Sequence, residues 1–159
     1  MALTKKIALI GSAPSSVALA PYGDPTWQIW SCSPGARPHL KRTPDVHFEI
    51  HLWEPEQSWF SPDYVSFMAA LPVPVYMLEP VPAIPGSVAY PKEEVMRYFG
   101  PEAIFFWTSA LSWMLARAII EIERSGEPGE ICLYGVDMSA SEEVYSGQRA
   151  GCQYFAGQA

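Results

Sequence analysis

The sequence is poor in charge, poorest in positive charge, and lacks the cysteine spacings that staple small scaffolds together. Charged side chains make up 17% of the 159 residues and hydrophobic ones 49%, against roughly 25% charged in an average soluble protein. That balance excludes an intrinsically disordered chain and implies a well-buried interior. Ten basic and seventeen acidic residues leave a formal net charge of −7. With no basic surface to displace counterions from a phosphate backbone, duplex nucleic acid is not an expected partner. Cys32, Cys132 and Cys152 are odd in number and far apart. They form neither a disulfide framework nor a Cys-x-x-Cys zinc site, and a reducing cytoplasm is the expected setting.

Long apolar runs are missing as well. Lys5 and Lys6 precede only Ile7 to Ile10 before Gly11 and Ser12, too short a run for a signal peptide. Ala103 to Ile120 has the length of a membrane span, with Arg117 as its one charge. It also holds Thr108, Ser109 and Ser112 and continues into Glu121 and Glu123, so no membrane is expected as a partner. The sixteen prolines are about twice the usual share, but they lie between apolar segments and read as loop punctuation. The length fits a single domain over residues 1–159, with truncation at the C-terminus as an open alternative.

What is present is an alternation of strands and helices. Lys5 to Ile10 is an aliphatic strand that feeds the turn Gly11-Ser12-Ala13-Pro14-Ser15-Ser16, with Pro14 suited to open a short helix that Pro21 and Gly23 end. Trp27 to Ser31 reads as a second strand, stopped by Ser33-Pro34-Gly35, with a basic, irregular stretch beyond. Val46 to Leu52 alternates, with Val46, Phe48, Ile50 and Leu52 on one face and His47, Glu49 and His51 on the other. Ser58 or Ser61 caps a helix to about Leu71, and Val73 to Leu78 is a fourth strand. Glu79 to Pro91 reads as a loop and Lys92 to Tyr98 as a helix closed by Gly100 and Pro101.

The clearest helix runs from Ser109 to Ser125. Leu111, Met114, Leu115, Ala118, Ile119 and Ile122 make one apolar face and Arg117, Glu121 and Arg124 a polar one. Glu130 to Tyr134 is a fifth strand, and Gly147 to Phe155 closes the chain as a helix. This order predicts a three-layer α/β domain with a mostly parallel sheet. In such a sheet ligands lie outside the carboxyl ends of the strands, which singles out the residues after Ile10, Leu52 and Tyr134.

Four groups of residues have chemistry in them. The turn after Ile10 presents backbone N–H groups and hydroxyls where an anion would sit, without the Gly-Lys-Ser of a Walker loop or the spacing of a dinucleotide fingerprint. Thr108-Ser109-Ala110 caps the long helix or, in addition, offers a donor to a ligand. Gly135-Val136-Asp137, followed by Ser139, Ser141 and Tyr145, ends the last strand with an acid that either binds a ribose hydroxyl or caps the next turn. His47-x-Glu49-x-His51 gathers two imidazoles and a carboxylate. It is read as a polar wall bordering the crevice, with acid–base chemistry open and no metal expected.

Together these motifs resemble the bacterial sialyltransferases of glycosyltransferase family 42 and, more loosely, motility-accessory and pterin-pyrophosphokinase-like proteins. The matching stretches are Gly11-Ser12-Ala13-Pro14-Ser15, Thr108-Ser109-Ala110 and Ile131 to Asp137, with Tyr145 beyond. Pro85 to Pro91 and Gln148 to Cys152 are also similar to proteins of unassigned role common in tailed-phage genomes. The resemblance implies a Rossmann-like, nucleotide-binding fold that holds a cytidine nucleotide sugar. The turn Gly11, Ser12, Ala13, Pro14, Ser15 and the pair Thr108 and Ser109 would approach the nucleotide, Tyr145 would approach its phosphate, and Gly135 and Asp137 would belong to the same binding site. Two positions depart from the family. Ala13 and Ala110 stand where it has glycines, and its catalytic histidine, which follows the last strand, has no counterpart, because His51 is the last histidine of this chain.

The expectation is therefore a nucleotide or nucleotide-sugar binding protein of phage origin in the host cytoplasm. Its alternatives are a glycosyl- or nucleotidyl-transferase and a structural or interaction protein that retains the fold. His47, Glu49 and His51 are the candidate catalytic residues. The aromatic group of Trp53, Trp59, Phe60, Tyr64, Phe67, Phe105, Phe106 and Trp107 is expected in the core or in a homo-oligomer contact.

Overall fold

A computed structural model describes residues 5–138 and 143–159, with side chains from residue 147 onward in the second stretch. Six strands form one sheet: β1 Lys5–Ile10, β2 Trp27–Cys32, β3 Val46–Glu49, β4 Val75–Met77, β5 Ser87–Ala89 and β6 Gly129–Tyr134. Every pairing is parallel, and the order across the sheet is β5-β4-β3-β2-β1-β6. The chain steps outward from β1 to β5 and then returns to place β6 on the free side of β1. Crossovers keep one hand, so reversing the direction of travel moves the connecting helices to the opposite face. The result is a Rossmann-like, three-layer α/β domain with its topological switch at β1.

Alternation along each strand sorts the side chains into two cores. On one face Ile7, Leu9, Trp30 and Phe48 pack against α4 Ala110–Ser125, with α3 Lys92–Phe99 and α5 Glu143–Ala156 beside it. On the other, Ala8, Ile10 and Ile29 meet the turns around Val17 and Ala36, and Val75 and Met77 meet α2 Pro62–Ala70. Of the aromatic group, Phe60 and Tyr64 are buried and Trp53, Phe67, Phe106 and Trp107 pack partly against the cores, while Trp59 and Phe105 are exposed.

Five expectations change. The helix anticipated after Pro14 is only a 3-10 turn, Val17–Leu19, with no side-chain cap, so no long helix dipole points at the end of β1. A short helix, α1 Ser33–Ala36, replaces irregular chain after β2. The third strand stops at Glu49, not Leu52, which is 63% exposed. The segment read as a loop after Leu78 contains β5, three residues held as an edge by pairing with β4. Arg117 is buried and not on a solvated face. Its Nη1 donates to Glu94 Oε1 at 2.8 Å, Nη2 pairs with Glu121, and the guanidinium lies 5.9 Å from the Tyr76 ring centre. The stretch 103–120 is broken at Trp107 to Ser109, between the 3-10 segment Pro101–Phe106 and α4. Among the described residues no helix is long and apolar enough to cross a membrane.

Candidate functional site

The ends of β1 and β6 meet at backbone contact. The Gly11 N–H donates to Tyr134 O and the Ala13 N–H to Gly135 O, both at 2.8 Å, and the Gly135 N–H donates to Ser16 Oγ at 2.9 Å. Gly135 takes φ +70 to make this turn, and Gly11 has no room for a side chain, since a Cβ would run into the Gly135 carbonyl oxygen. Ser15 hydrogen-bonds Asp137 through its hydroxyl, which fixes that carboxylate at the rim. The turn after β1 and the segment after β6, far apart in sequence, therefore form one lip.

The opposite lip is the start of α4. Ser109 and Ser112 form a capping box: Ser109 Oγ accepts from the Ser112 N–H at 3.3 Å, and Ser112 Oγ accepts from the Ser109 N–H at 3.2 Å. Thr108 donates its hydroxyl proton to Gln148 O at 2.9 Å, and Ser109 Oγ lies 3.5 Å from Cys152 Sγ. Both hydroxyls thus hold structure, tying α4 to α5, while their residues face the cleft. Replacing Ser109 with alanine is expected to lower stability by about 1 kcal/mol. Urea unfolding of S109A measures it, and a midpoint equal to the parent's would show the cap to contribute nothing. Tyr145 lies in α5, but its side chain, like Ser139 and Ser141 as a whole, falls outside the described residues.

His47, Glu49 and His51 do not form a common polar wall. His47 and Glu49 are fully buried under α2, and only His51, just beyond the strand, reaches the cleft. The three are nevertheless joined in one chain of hydrogen bonds. Ser31, opposite His47 in the sheet register, lies 2.7 Å from His47 Nδ1, and His47 Nε2 lies 2.8 Å from the Tyr64 hydroxyl. Tyr64 donates to Glu49 Oε2 at 2.7 Å, and Glu49 Oε1 accepts from the His51 backbone N–H at 3.1 Å and from Nδ1 at 2.5 Å.

The proton positions follow from the donor inventory. A carboxylate has no proton to give, so Tyr64 must donate to Glu49, and its oxygen then accepts from His47 Nε2–H. His47 Nδ1 is left to accept from Ser31. Burial holds the His47 pKa down at about 4, against a smaller upward pull from Glu49, and His47 is neutral at pH 7. The hydrogen bond to Glu49 raises the pKa of His51. Burial, followed by the Glu49 charge, pushes the Tyr64 phenol far above its usual range, so it stays a donor. As candidate catalytic residues His47 and Glu49 are corrected: neither can touch a ligand, and His51 alone is placed to do so.

These lips enclose a cavity of about 1040 Å³ over the carboxyl ends of the strands. It is lined by Gly11 to Pro14, Thr108 to Ala110, Gly135 to Asp137 and His51. Sequence reasoning missed part of it. Ser33 and Gly35 after β2, Lys92 at the start of α3, and Trp107 and Trp113 also line it. The signal for the β2 edge was Ser33-Pro34-Gly35, read only as a stop, and Ser33 adopts φ +55, unusual for a residue with a side chain. Cys32 lines the cavity too, but its thiol is buried, which pushes its pKa up to about 12 and leaves it unreactive. Among the described residues no group of three or more His, Cys, Asp or Glu side chains is placed to hold a metal ion. No protein-family model, curated protein or solved structure matches the chain.

Proposed function

We propose that the protein binds a nucleotide or nucleotide sugar in the cleft over the carboxyl ends of β1, β2, β3 and β6. The observation that carries this is the convergence of residues 11–14, 108–110 and 135–137 on one cavity at the switch point of a parallel sheet, the place where such sheets hold nucleotides. Its volume is at the upper end of the ~300–1,000 Å³ of small-molecule sites.

The Gly11 and Ala13 N–H groups are engaged with the segment after β6, so the backbone donors for a phosphate are those of the first turn of α4, where the N–H groups of Ala110 and Leu111 have no partner within the helix. Lys92, whose ammonium lies 5.8 Å from the Trp113 ring centre, supplies a cation inside a protein of net charge −7. Asp137, held by Ser15, is an acceptor for ribose hydroxyls. Trp107 and Trp113, stacked 4.4 Å apart, offer an apolar wall to the base. The preference for cytidine rests on the resemblance to the family 42 sialyltransferases.

The test is thermal unfolding with the four ribonucleoside monophosphates and diphosphates, cytidine first. A ligand at a hundred times its Kd stabilises by about 2.7 kcal/mol, which for a chain of this size raises the Tm by roughly 5–10 °C. Ser12→Phe, at an exposed position of the rim whose side chain makes no hydrogen bond among the described residues, is expected to abolish the shift while leaving the ligand-free Tm nearly unchanged. A panel in which no nucleotide moves the transition would sink the reading.

A further inference from the structure

Resting on that reading, we propose that His51 is the residue through which the cleft senses the charge of its ligand: an anion bound in the cavity draws a proton onto the His51 ring, and the site in turn holds anions more tightly as pH falls. The two coupled ligands are an anionic nucleotide and the proton.

The charge of the cavity wall is the first observation. Among the described residues that line it, Lys92 and Asp137 are the charged side chains, and they offset each other. Cys32 lines it too, but burial pushes its thiol up to about 12 and it stays uncharged. The formal charge of the wall is therefore zero while His51 is neutral and positive once His51 is protonated. Imidazole is the side chain that changes charge near neutral pH. In a protein of net charge −7, this one proton decides whether an anion meets a cationic wall or a neutral one.

Geometry fixes where the proton goes. His51 Nδ1–H is held on Glu49 Oε1 at 2.5 Å, and the same oxygen accepts from the His51 backbone N–H at 3.1 Å, so the orientation of the ring is set. An added proton goes to Nε2, which no described residue engages. The side chain is 48% exposed and lines the cavity, so solvent and ligand both reach the ring. Neutral, Nε2 is an acceptor and faces an anion's oxygens with its lone pair; protonated, it is a charged donor to them.

The third observation is what lies behind the ring. Glu49 is fully buried, and its Oε2 accepts from Tyr64, which is held in turn by His47. Among the described residues no lysine or arginine pairs with Glu49, and His51 is the group that supplies a compensating charge. A surface ion pair is worth little, whereas a carboxylate out of water needs its cation. The hydrogen bond to Glu49 raises the His51 pKa, burial works against the rise and the Glu49 charge adds to it. The other titratable and charged groups around His51 are Tyr64 from α2, His47 and Arg37 near Tyr64, Glu54 and Glu56 on the loop that carries Trp59, and Lys92 and Asp137 on the cavity wall. Tyr64 stays protonated and His47 neutral while His51 titrates.

The coupling is reciprocal. If the bound anion raises the His51 midpoint by about one pH unit, protonation tightens the anion by about tenfold. Affinity is full below the midpoint of the free protein and is lost as pH rises through that of the complex.

The experiment follows the His51 ring by NMR from pH 5.5 to pH 8.5 in the full chain, alone and with each of the four ribonucleoside monophosphates, CMP first. Calorimetry gives Kd over the same range for the parent and for His51→Gln. With nucleotide bound, the His51 midpoint is expected to rise by about one pH unit. H51Q is expected to bind about tenfold more weakly than the parent at pH 5.5 and nearly equally at pH 8.5. The ratio of the two proteins cancels the ionisation of the nucleotide's own phosphate, which both share. Glu49→Gln lowers the His51 midpoint of the free protein, a displacement that a purely structural carboxylate would not produce; an unmoved midpoint removes Glu49 from the device. If a monophosphate raises the Tm but leaves the His51 midpoint in place, or the deficit of H51Q is the same at both ends of the range, the coupling is overturned and the binding reading stands. If no monophosphate binds at any pH, both are overturned. Should a variant fail to fold, the titration of the parent with and without nucleotide decides.

Discussion

Acidifying the protein from pH 7 to pH 4 is expected to remove about 3 kcal/mol of stability through His47 alone. His47 is fully buried, and its ring accepts from Ser31 and donates to Tyr64, so the folded state holds it neutral with a pKa of about 4. In the unfolded chain the same imidazole titrates near ~6.5. Between these values the unfolded state binds the extra proton, so the contribution is complete above pH 6.5 and drains away as pH falls towards 4. His51 acts in the opposite sense. Its folded pKa is raised, so its contribution is full below ~6.5 and is lost as pH rises through the folded value. Urea unfolding at unit steps from pH 4 to pH 7, for the parent and for His47→Gln, isolates the first effect. The variant starts lower at pH 7 and loses about 3 kcal/mol less on acidification, and two parallel curves would refute the assignment.

Gly11→Ala should lower stability by roughly 3 kcal/mol, through overpacking and the loss of two backbone hydrogen bonds. A methyl group at Gly11 meets the Gly135 carbonyl, and Val136 Cγ2 at 3.1 Å, and neither neighbour is the loose end of a flexible side chain. β1 and β6 must part where the Gly11 and Ala13 N–H groups bridge them. The Tm falls by about 6–12 °C, and the nucleotide-induced shift disappears because one lip of the cleft has moved. Gly23→Ala is the control: nothing lies within 4 Å of its added Cβ, and Gly23 does not take a positive φ. Its effect is within about 1 kcal/mol, in the stabilising direction. Equal Tm values for the two variants would contradict the close approach of the strand ends.

Much of the fold was legible because local and tertiary preferences agree. Lys5–Ile10, Trp27–Cys32 and Gly129–Tyr134 are apolar runs too short for helices, and Ser109 with Gly126 brackets an apolar period that only a helix can bury on one side. Strands alternating with helices then leave a parallel sheet as the economical arrangement, and a parallel sheet gathers the residues after Ile10 and Tyr134 at one edge. The site's two lips followed from that rule.

Other features have no local signal. Ser87–Ala89 is three residues among prolines and becomes a strand only because β4 presents an unpaired edge. Arg117 looks solvated along its helix and is buried because α3 brings Glu94 over it. Ser33 and Lys92 reach the cavity through the strand order and the start of α3, neither of which a spacing reveals. Alternation alone put His47 and Glu49 on one face, but a face is polar wall or buried network according to what covers it. That was decided by α2, whose Tyr64 supplies the hydroxyl bridging the imidazole and the carboxylate. His51 faces the cleft because β3 ends two residues earlier and the chain turns back onto Glu49. A sequence determines which groups are available and with what period. Their protonation and reach depend on burial and on partners contributed by distant segments, which exist only once the layers have packed.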